Sequence, residues 1–316
     1  MAEPETPPST HAPGDTGEPD PATATFVTHR NLLFTVAYEM LGSAADAEDV
    51  LQETWLKWSG VDLDTVRDRR AYLVRITTRQ AITRLRTLSR RRESYVGPWL
   101  PEPLLTAPDI AEDVALADSV SMAMLLVLET LTPTERAVFV LRDVFDLSYE
   151  EIARTVDKSP AAVRQIAHRA RSHITARRPR AAVTPAESRR VLAEFRHSLE
   201  TGDLDGLLGV LAPDVVVLAD GGGVAQAFPR PVTGADKAAR LLVGGWRRKL
   251  RGRVGLEPTE VNGGPALLVR IDGALDSVIA VRIEAGRIAG LYTVRNPEKL
   301  TRLDREAVVS LRSDEV

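Results

Sequence analysis

The chain has 316 residues, a formal charge of −3, a 44% apolar fraction and no cysteine, so it is long enough for two or three compact domains with real cores. Disulfides and thiolate metal sites are excluded, no secretion-type leader opens the chain, and no apolar run approaches membrane-spanning length, which together point to a cytoplasmic protein. The small net charge averages an acidic N-terminal tail against arginine clusters over 67–92 and 158–180, so local charge carries the information.

Residues 1–24 are rich in Pro, Ala, Gly, Thr and acids without apolar periodicity and read as a disordered tail. A helical domain is expected over 25–95. Within it Ser43 and Asp46 open a helix whose buried stripe is Ala47, Val50, Leu51, Thr54 and Trp58. Asp49, Gln52 and Glu53, at i, i+3 and i+4, make one acidic and amide patch on its outer face. On an isolated helix such a patch is more often a solvated surface, but it also suits a basic partner helix. Downstream come Arg75, Arg79, Arg84, Arg86, Arg90 and Arg91, with Tyr72 and Tyr95 as aromatic faces and Leu73, Ile76, Ala81, Ile82 and Leu85 as a helical core. Arginine with aromatic surface grips a phosphate backbone and stacks exposed bases of single-stranded DNA. A merely solubilising face would mix Glu and Lys into the run.

Residues 96–108 hold Pro98, Pro101, Pro103 and Pro108 and form an extended linker. A second helical domain follows over 109–177, where Thr132-Pro133-Thr134-Glu135 is a capping box with proline at the first helical position. Then SYEEIARTVDKSPAAVRQIAHRAR, residues 148–171, sets two short helical patterns around a tight turn, which is a helix-turn-helix signature. Ser148 and Glu151 cap the first helix, Asp157-Lys158 breaks it, and Ser159-Pro160 starts the second. Val163, Ile166, Ala167 and Ala170 share one face of that second helix. Arg164, Gln165, His168 and Arg169 face outward to meet a major groove, while Lys158 and Arg171 hold phosphates.

Residues 178–184 are a basic linker, and over 185–300 the texture changes. A helix from Thr184-Pro185 through about Leu199 precedes strands at 215–218, 254–261, 266–271, 278–283 and 288–294, with a helix over 234–249 between them. Asn262-Gly263-Gly264, Asp272-Gly273 and Gly286 supply hairpin turns, so this part reads as an α+β domain built on a mostly antiparallel meander, followed by a tail over 301–316. His197 shares a helix with Val191, Leu192, Phe195 and Leu199 and reads as structural. His168 and His173 point to different faces and make no metal pair, and Asp220 and Asp276 form no convincing acid–base dyad. No catalytic residue, cofactor or metal is expected.

An Asp-x-x-Gln-Glu helix, an arginine-rich helix, and a helix-turn-helix opened by LTPTERAVFVLRDVFDLSYEEIA, in that order, resemble the extracytoplasmic-function group of sigma-70-superfamily initiation factors over roughly residues 25–174. The resemblance implies a non-enzymatic factor that binds core RNA polymerase and promoter DNA. Asp49, Gln52 and Glu53 would dock on the beta-prime clamp helices, and the beta flap would be a further contact on the polymerase. The arginine-rich helix would melt and hold the minus-ten element, and the helix-turn-helix would read the minus-thirty-five element. The family's minus-ten helix carries Asn and Asp where this chain has Arg79 and Thr83.

Three further strings resemble the members with a fused SnoaL-like, NTF2-like cone domain: YVGPWLPEP at 95–103, DGGG at 220–223 and NPEKL at 296–300. The fold class this implies is multidomain, two all-α domains followed by an α+β NTF2-like cone, with the extension modulating the sigma factor in place of a separate anti-sigma protein. Trp99, Leu100, Pro101, Asp220, Gly221, Gly222, Gly223, Asn296 and Pro297 would make the regulatory contacts. The rival reading is an NTF2-like small-molecule enzyme or ligand sensor fused to a DNA-binding module.

Overall fold

A computed structural model describes residues 20–92, 94–106, 114–176, 183–249, 253–303 and 306–311. The expected tail over 1–19, most of the 178–184 linker and the last five residues fall outside them. Helix α1 (Pro21–Leu41) starts earlier than composition suggests: Asp20 caps it, accepting from the Thr23 amide at 3.3 Å, and Pro21 sits in the first turn, where its missing N–H costs nothing. Residues 21–24, read as tail, are therefore helix. Every residue of α1 from Leu32 to Leu41 is buried, because α2 (Ala44–Trp58), α3 (Arg69–Arg92), α6 (Pro133–Phe139) and a π-helical turn (Val140–Val144) all pack on it.

The second helical segment adds α4 (Val114–Val120), α5 (Met122–Leu128), α7 (Tyr149–Val156) and α8 (Pro160–Thr175). Both expected capping boxes close, Thr132 with Glu135 and Ser148 with Glu151, and Asp157 ends α7 in the left-handed conformation at φ 55°. One hydrophobic core runs through both helical segments, joining Leu33, Val36 and Leu73 to Leu125, Val138 and Ile152.

The C-terminal domain opens with α9 (Pro185–Thr201) and α10 (Leu204–Val210), then forms one sheet in the order β2-β1-β6-β5-β4-β3. Its strands are β1 (Leu211–Asp220), β2 (Val232–Thr233), β3 (Val254–Val261), β4 (Gly264–Ile271), β5 (Ala274–Glu284) and β6 (Arg287–Val294), with α11 (Ala235–Lys249) between β2 and β3. β3 to β6 are the expected antiparallel meander, whereas β1 pairs with β6 in parallel. The crossover through α11 carries the chain to the far edge, and the returning meander brings β6 beside β1 in the same direction. Strand alternation gives the sheet two apolar faces. Val217, Leu267, Ile279 and Val281 meet Phe195 and Trp246 of the domain's own helices. Leu218, Ala280, Tyr292 and Val294 lie against Leu100 of the linker and Met122 and Ala123 of α5. His197, read as structural, is exposed, because Val191, Leu192, Phe195 and Leu199 form the buried stripe of α9 without it.

Candidate nucleic-acid interface and interdomain junction

Helix α8 buries Val163, Ile166, Ala167, Ala170 and Ile174 and leaves Arg164, Gln165, His168 and Arg169 exposed around one shallow depression. Acidic neighbours hold its cations in place. Arg164 lies 3.3 Å from Glu150 and 5.6 Å above the Tyr149 ring, Arg169 is 3.7 Å from Glu135, and Arg171 is 2.5 Å from Asp143. The hydrogen bond to Asp143 raises the Arg171 pKa, and burial opposes it only in part. Exposed pairs of this kind are weak and screened by salt, so a phosphate can replace the carboxylate at small cost. Lys158 is exposed at the turn before α8.

On α2, Asp49, Gln52 and Glu53 are exposed, and Leu56 continues their stripe at 66% exposure. Helix α3 reaches this patch: Arg84 bonds Asp46 at 2.8 Å and Asp49 at 2.7 Å, and the Gln80 amide donates to Glu53 at 2.6 Å. The Asp46 hydrogen bond is the chief cause that lifts the Arg84 pKa. Arg75 lies 4.7 Å over the Tyr72 ring and Arg86 is exposed, while Arg90 and Arg91 belong to α3 but their side chains lie outside the described residues. Arg79 is engaged elsewhere. Its Nε donates to the Thr155 carbonyl at 3.0 Å and its Nη2 to the Arg154 carbonyl at 2.8 Å, at the C-terminus of α7, where carbonyls lack helical partners and carry partial negative charge.

Two junctions bind the C-terminal domain to the helical segments. At the first, Asp220 is fully buried and accepts from the Tyr95 hydroxyl at 2.6 Å, the Leu100 amide at 2.9 Å, the Gly222 amide at 2.9 Å and Lys299 Nζ at 2.7 Å. Asn296 Nδ2 donates to the Tyr95 hydroxyl at 3.0 Å. Lys299 lies 4.3 Å over the Trp99 ring, whose other neighbour is Arg92 at 3.6 Å. Burial holds the Lys299 ammonium down at about 8 despite Asp220. Gly222 sits at φ 63°, and a Cβ there would come within 2.4 Å of Asn296 Nδ2, so DGGG and NPEKL interlock. Gly221 is equally crowded, by the Ala225 carbonyl, and Gly223 lies beside Val96. Leu100 and Pro101 are buried, and exposed Pro297 starts the turn that delivers Lys299.

The second junction was not visible in sequence. The β3–β4 turn, read only as hairpin chemistry, inserts Asn262 between three elements. Its Nδ2 donates to the Tyr38 hydroxyl at 2.6 Å and the Val120 carbonyl at 2.9 Å, and its Oδ1 accepts from the Leu104 amide at 3.0 Å. Buried Glu102 of the linker accepts from Ser43 Oγ at 3.1 Å and the Ala45 amide at 3.2 Å, satisfying the start of α2. Between the helical segments, Glu129 pairs with both Arg92 and Arg136. Buried Arg136 also donates to the Glu39 carbonyl at 2.9 Å. Ser119 bonds the Glu39 carboxyl at 2.8 Å, yet burial pushes that carboxyl up to about 8. Nothing local marks these residues, because apart from Glu129 with Arg136 their partners are dozens of positions away.

Among the described residues no cluster of three metal-ligating side chains occurs, and no helix is long and apolar enough to cross a membrane. Two family signatures match the chain, Sigma-70 region 2 over 25–91 and Sigma-70, region 4 over 121–174. The chain is 35% identical over 288 residues to the ECF RNA polymerase sigma factor SigJ of Mycobacterium tuberculosis, covering 87% of this chain and 92% of that one. It is 35% identical over 290 residues to the probable ECF RNA polymerase sigma factor SigI of the same species, covering 91% and 97%. The crystal structure of M. tuberculosis SigJ superposes with a TM-score of 0.71 at 34% identity, over 89% of this chain and 98% of that one.

Proposed function

This chain belongs to the extracytoplasmic-function sigma factors of the sigma-70 superfamily, with a fused SnoaL-like domain, and we propose how its parts divide the work of promoter-specific initiation. Asp49, Gln52 and Glu53 dock on the clamp helices of the polymerase beta-prime subunit, and Leu56 supplies an apolar anchor beside them. The single observation that carries this assignment is their common exposed stripe on α2. The cationic face of α3 holds the minus-ten element, α8 reads the minus-thirty-five element, and the second helical segment meets the beta flap. The protein works in the cytoplasm, where polymerase and promoter are, and does no chemistry of its own. Supporting this over an enzyme, the space between the sheet and α9 to α11 is filled by packed apolar side chains such as Phe195, Leu199 and Trp246.

The same reading extends to regulation. Elements about 25 base pairs apart lie roughly 85 Å apart along B-DNA at 3.4 Å per pair, whereas Arg79 ties the minus-ten helix directly to α7 of the helix-turn-helix. The closed arrangement is therefore the inactive one, held by the C-terminal domain through its two junctions. For docking, the test is the pair Asp49→Arg with Glu53→Arg: co-purification with core polymerase should be lost while the far-ultraviolet spectrum stays that of the parent. Undiminished binding would sink the docking assignment.

A further inference from the structure

We propose that Asn262-Gly263, the turn at the second junction, is a covalent modification site that deamidates when the junction opens and thereafter keeps it from closing again. The chain has three asparagines, and the residue after each decides whether it can react. Deamidation starts when the next residue's backbone nitrogen attacks the side-chain amide. Asn296 precedes proline, whose nitrogen carries no hydrogen, and at Asn31 the Leu32 side chain crowds the approach. Asn262 alone precedes glycine, where no Cβ hinders ring closure. There the Gly263 nitrogen gives its proton to solvent base and bonds to Asn262 Cγ, the Cγ–Nδ2 bond breaks, and ammonia leaves with a proton taken from water. Water then opens the five-membered imide. Attack at Cγ gives aspartate and attack at the main-chain carbonyl gives isoaspartate, so the net reaction consumes one water and releases one ammonia.

In the closed arrangement both reacting groups are tied. Asn262 is 1% exposed, and its amide is fixed by the Tyr38 hydroxyl and the Val120 carbonyl on Nδ2 and by the Leu104 amide on Oδ1, so it cannot turn toward the next nitrogen. The Gly263 N–H that must be lost donates to Thr106 Oγ1 at 3.0 Å. Every one of these tethers comes from outside the hairpin, from α1, α4 or the linker. When the helical segments part from the C-terminal domain, the tethers leave together and the turn is bare. The same contacts reject the product. An aspartate carboxylate has no hydrogen to give, and at position 262 it would face the Val120 carbonyl and a Tyr38 oxygen whose single proton already goes to the Glu102 carbonyl at 2.7 Å. Isoaspartate adds a carbon to the main chain of the turn and spoils the Val261–Gly264 pairing. Opening is thus recorded once and not reversed. Only its consequence for transcription rests on the closed state being inactive.

The test incubates full-length protein in mildly alkaline buffer and follows position 262 by peptide mapping, as a mass gain of about 1 Da. The chain unfolded in urea gives the unprotected rate. Native protein should convert at least about tenfold more slowly, because reaction through a minor open population is scaled by that population. In urea, Gly263→Ala should lose at least about tenfold of the rate, since its Cβ hinders ring closure. Tyr38→Phe and Thr106→Val each remove one tether with little change of shape and should speed native conversion several-fold. Asn262→Asp, the product in place, should be cleaved faster than the parent in the linker around 96–106 while keeping the parent's far-ultraviolet spectrum. Native conversion as fast as in urea, an unfolded Gly263→Ala chain at the parent's rate, both folded tether variants at the parent's rate, or parental cleavage of Asn262→Asp overturns the proposal. Core polymerase with promoter DNA should also speed conversion. Tether variants that accelerate it while the promoter complex does not would support the site and overturn the inactive-closed reading instead.

Discussion

Glu39 is the residue whose setting departs furthest from what its type suggests. It is fully buried on α1, its carboxyl bonded by Ser119 of α4 and its backbone carbonyl by Arg136 of α6, so three elements meet at one residue. Burial raises its pKa from 4.5 to about 8. A carboxyl raised in this way binds its proton more tightly folded than unfolded. Its contribution to stability is therefore complete below about pH 4.5 and is lost as pH rises through about 8. Thermal midpoints of the parent should include a component that falls across this window, and Glu39→Gln, which keeps the shape and removes the charge, should flatten that component. A Glu39→Gln profile with the parent's slope would refute the assignment. Lys299 runs the opposite way: its pKa is lowered from 10.5 to about 8, so its penalty is complete below about 8 and relieved toward 10.5.

At the scale of elements, α7 and α8 were readable because helix-turn-helix chemistry is local: two caps, one left-handed turn residue and one apolar stripe lie within 24 consecutive positions. The outward residues of α8 divide by their neighbours. Arg164→Ala and Gln165→Ala should alter preference at the upstream element by about 1 to 3 kcal/mol per lost base contact, whereas Arg171→Ala, its guanidinium turned to Asp143, should weaken binding evenly across sequences. Binding to a series of promoter variants separates the two, and identical behaviour of all three would reject the division. The β3–β4 turn is the contrary case. Gly263 sits at φ 67°, and a Cβ there would lie 2.7 Å from Ala117 Cα. Gly263→Ala should loosen the second junction and speed proteolysis of the linker around 96–106, with the C-terminal sheet intact. An unchanged cleavage rate would show that the turn is no anchor.

Across the whole molecule the linker is the shared component, gripped by Asp220 at Leu100, by Asn262 at Leu104 and by the C-terminal segment at Leu105. That last segment returns to the first helix: the Ala307 amide donates to the Leu105 carbonyl at 2.8 Å, the Ser310 amide to Thr35 Oγ1 at 2.9 Å, and Val309 enters the helical core. A chain ending after Leu303 keeps Lys299 and the sheet but loses this strap, so the closed population should fall and run-off transcription from a cognate promoter rise several-fold. A chain ending near Thr184 loses both junctions together with any positive contribution of the domain. Equal activity of full-length protein and both truncations would rule out intramolecular control.

The order of the acidic helix, the arginine helix and the helix-turn-helix, the helix caps, the proline linker and the β3–β6 meander were all legible in the chain, because each is written in neighbouring residues with a fixed period or turn chemistry. The DGGG and NPEKL strings were legible as paired motifs but not as halves of one buried site around Asp220, which needs β1 and β6 side by side. Only the tertiary structure decided that Arg79 faces α7, that Glu39 is buried with Arg136, and that a hairpin asparagine locks α1, the linker and α4 together. The reason is physical: a hydrogen bond or ion pair between residues dozens of positions apart leaves no local period in either partner, and what makes each group significant is the burial that packing imposes on it.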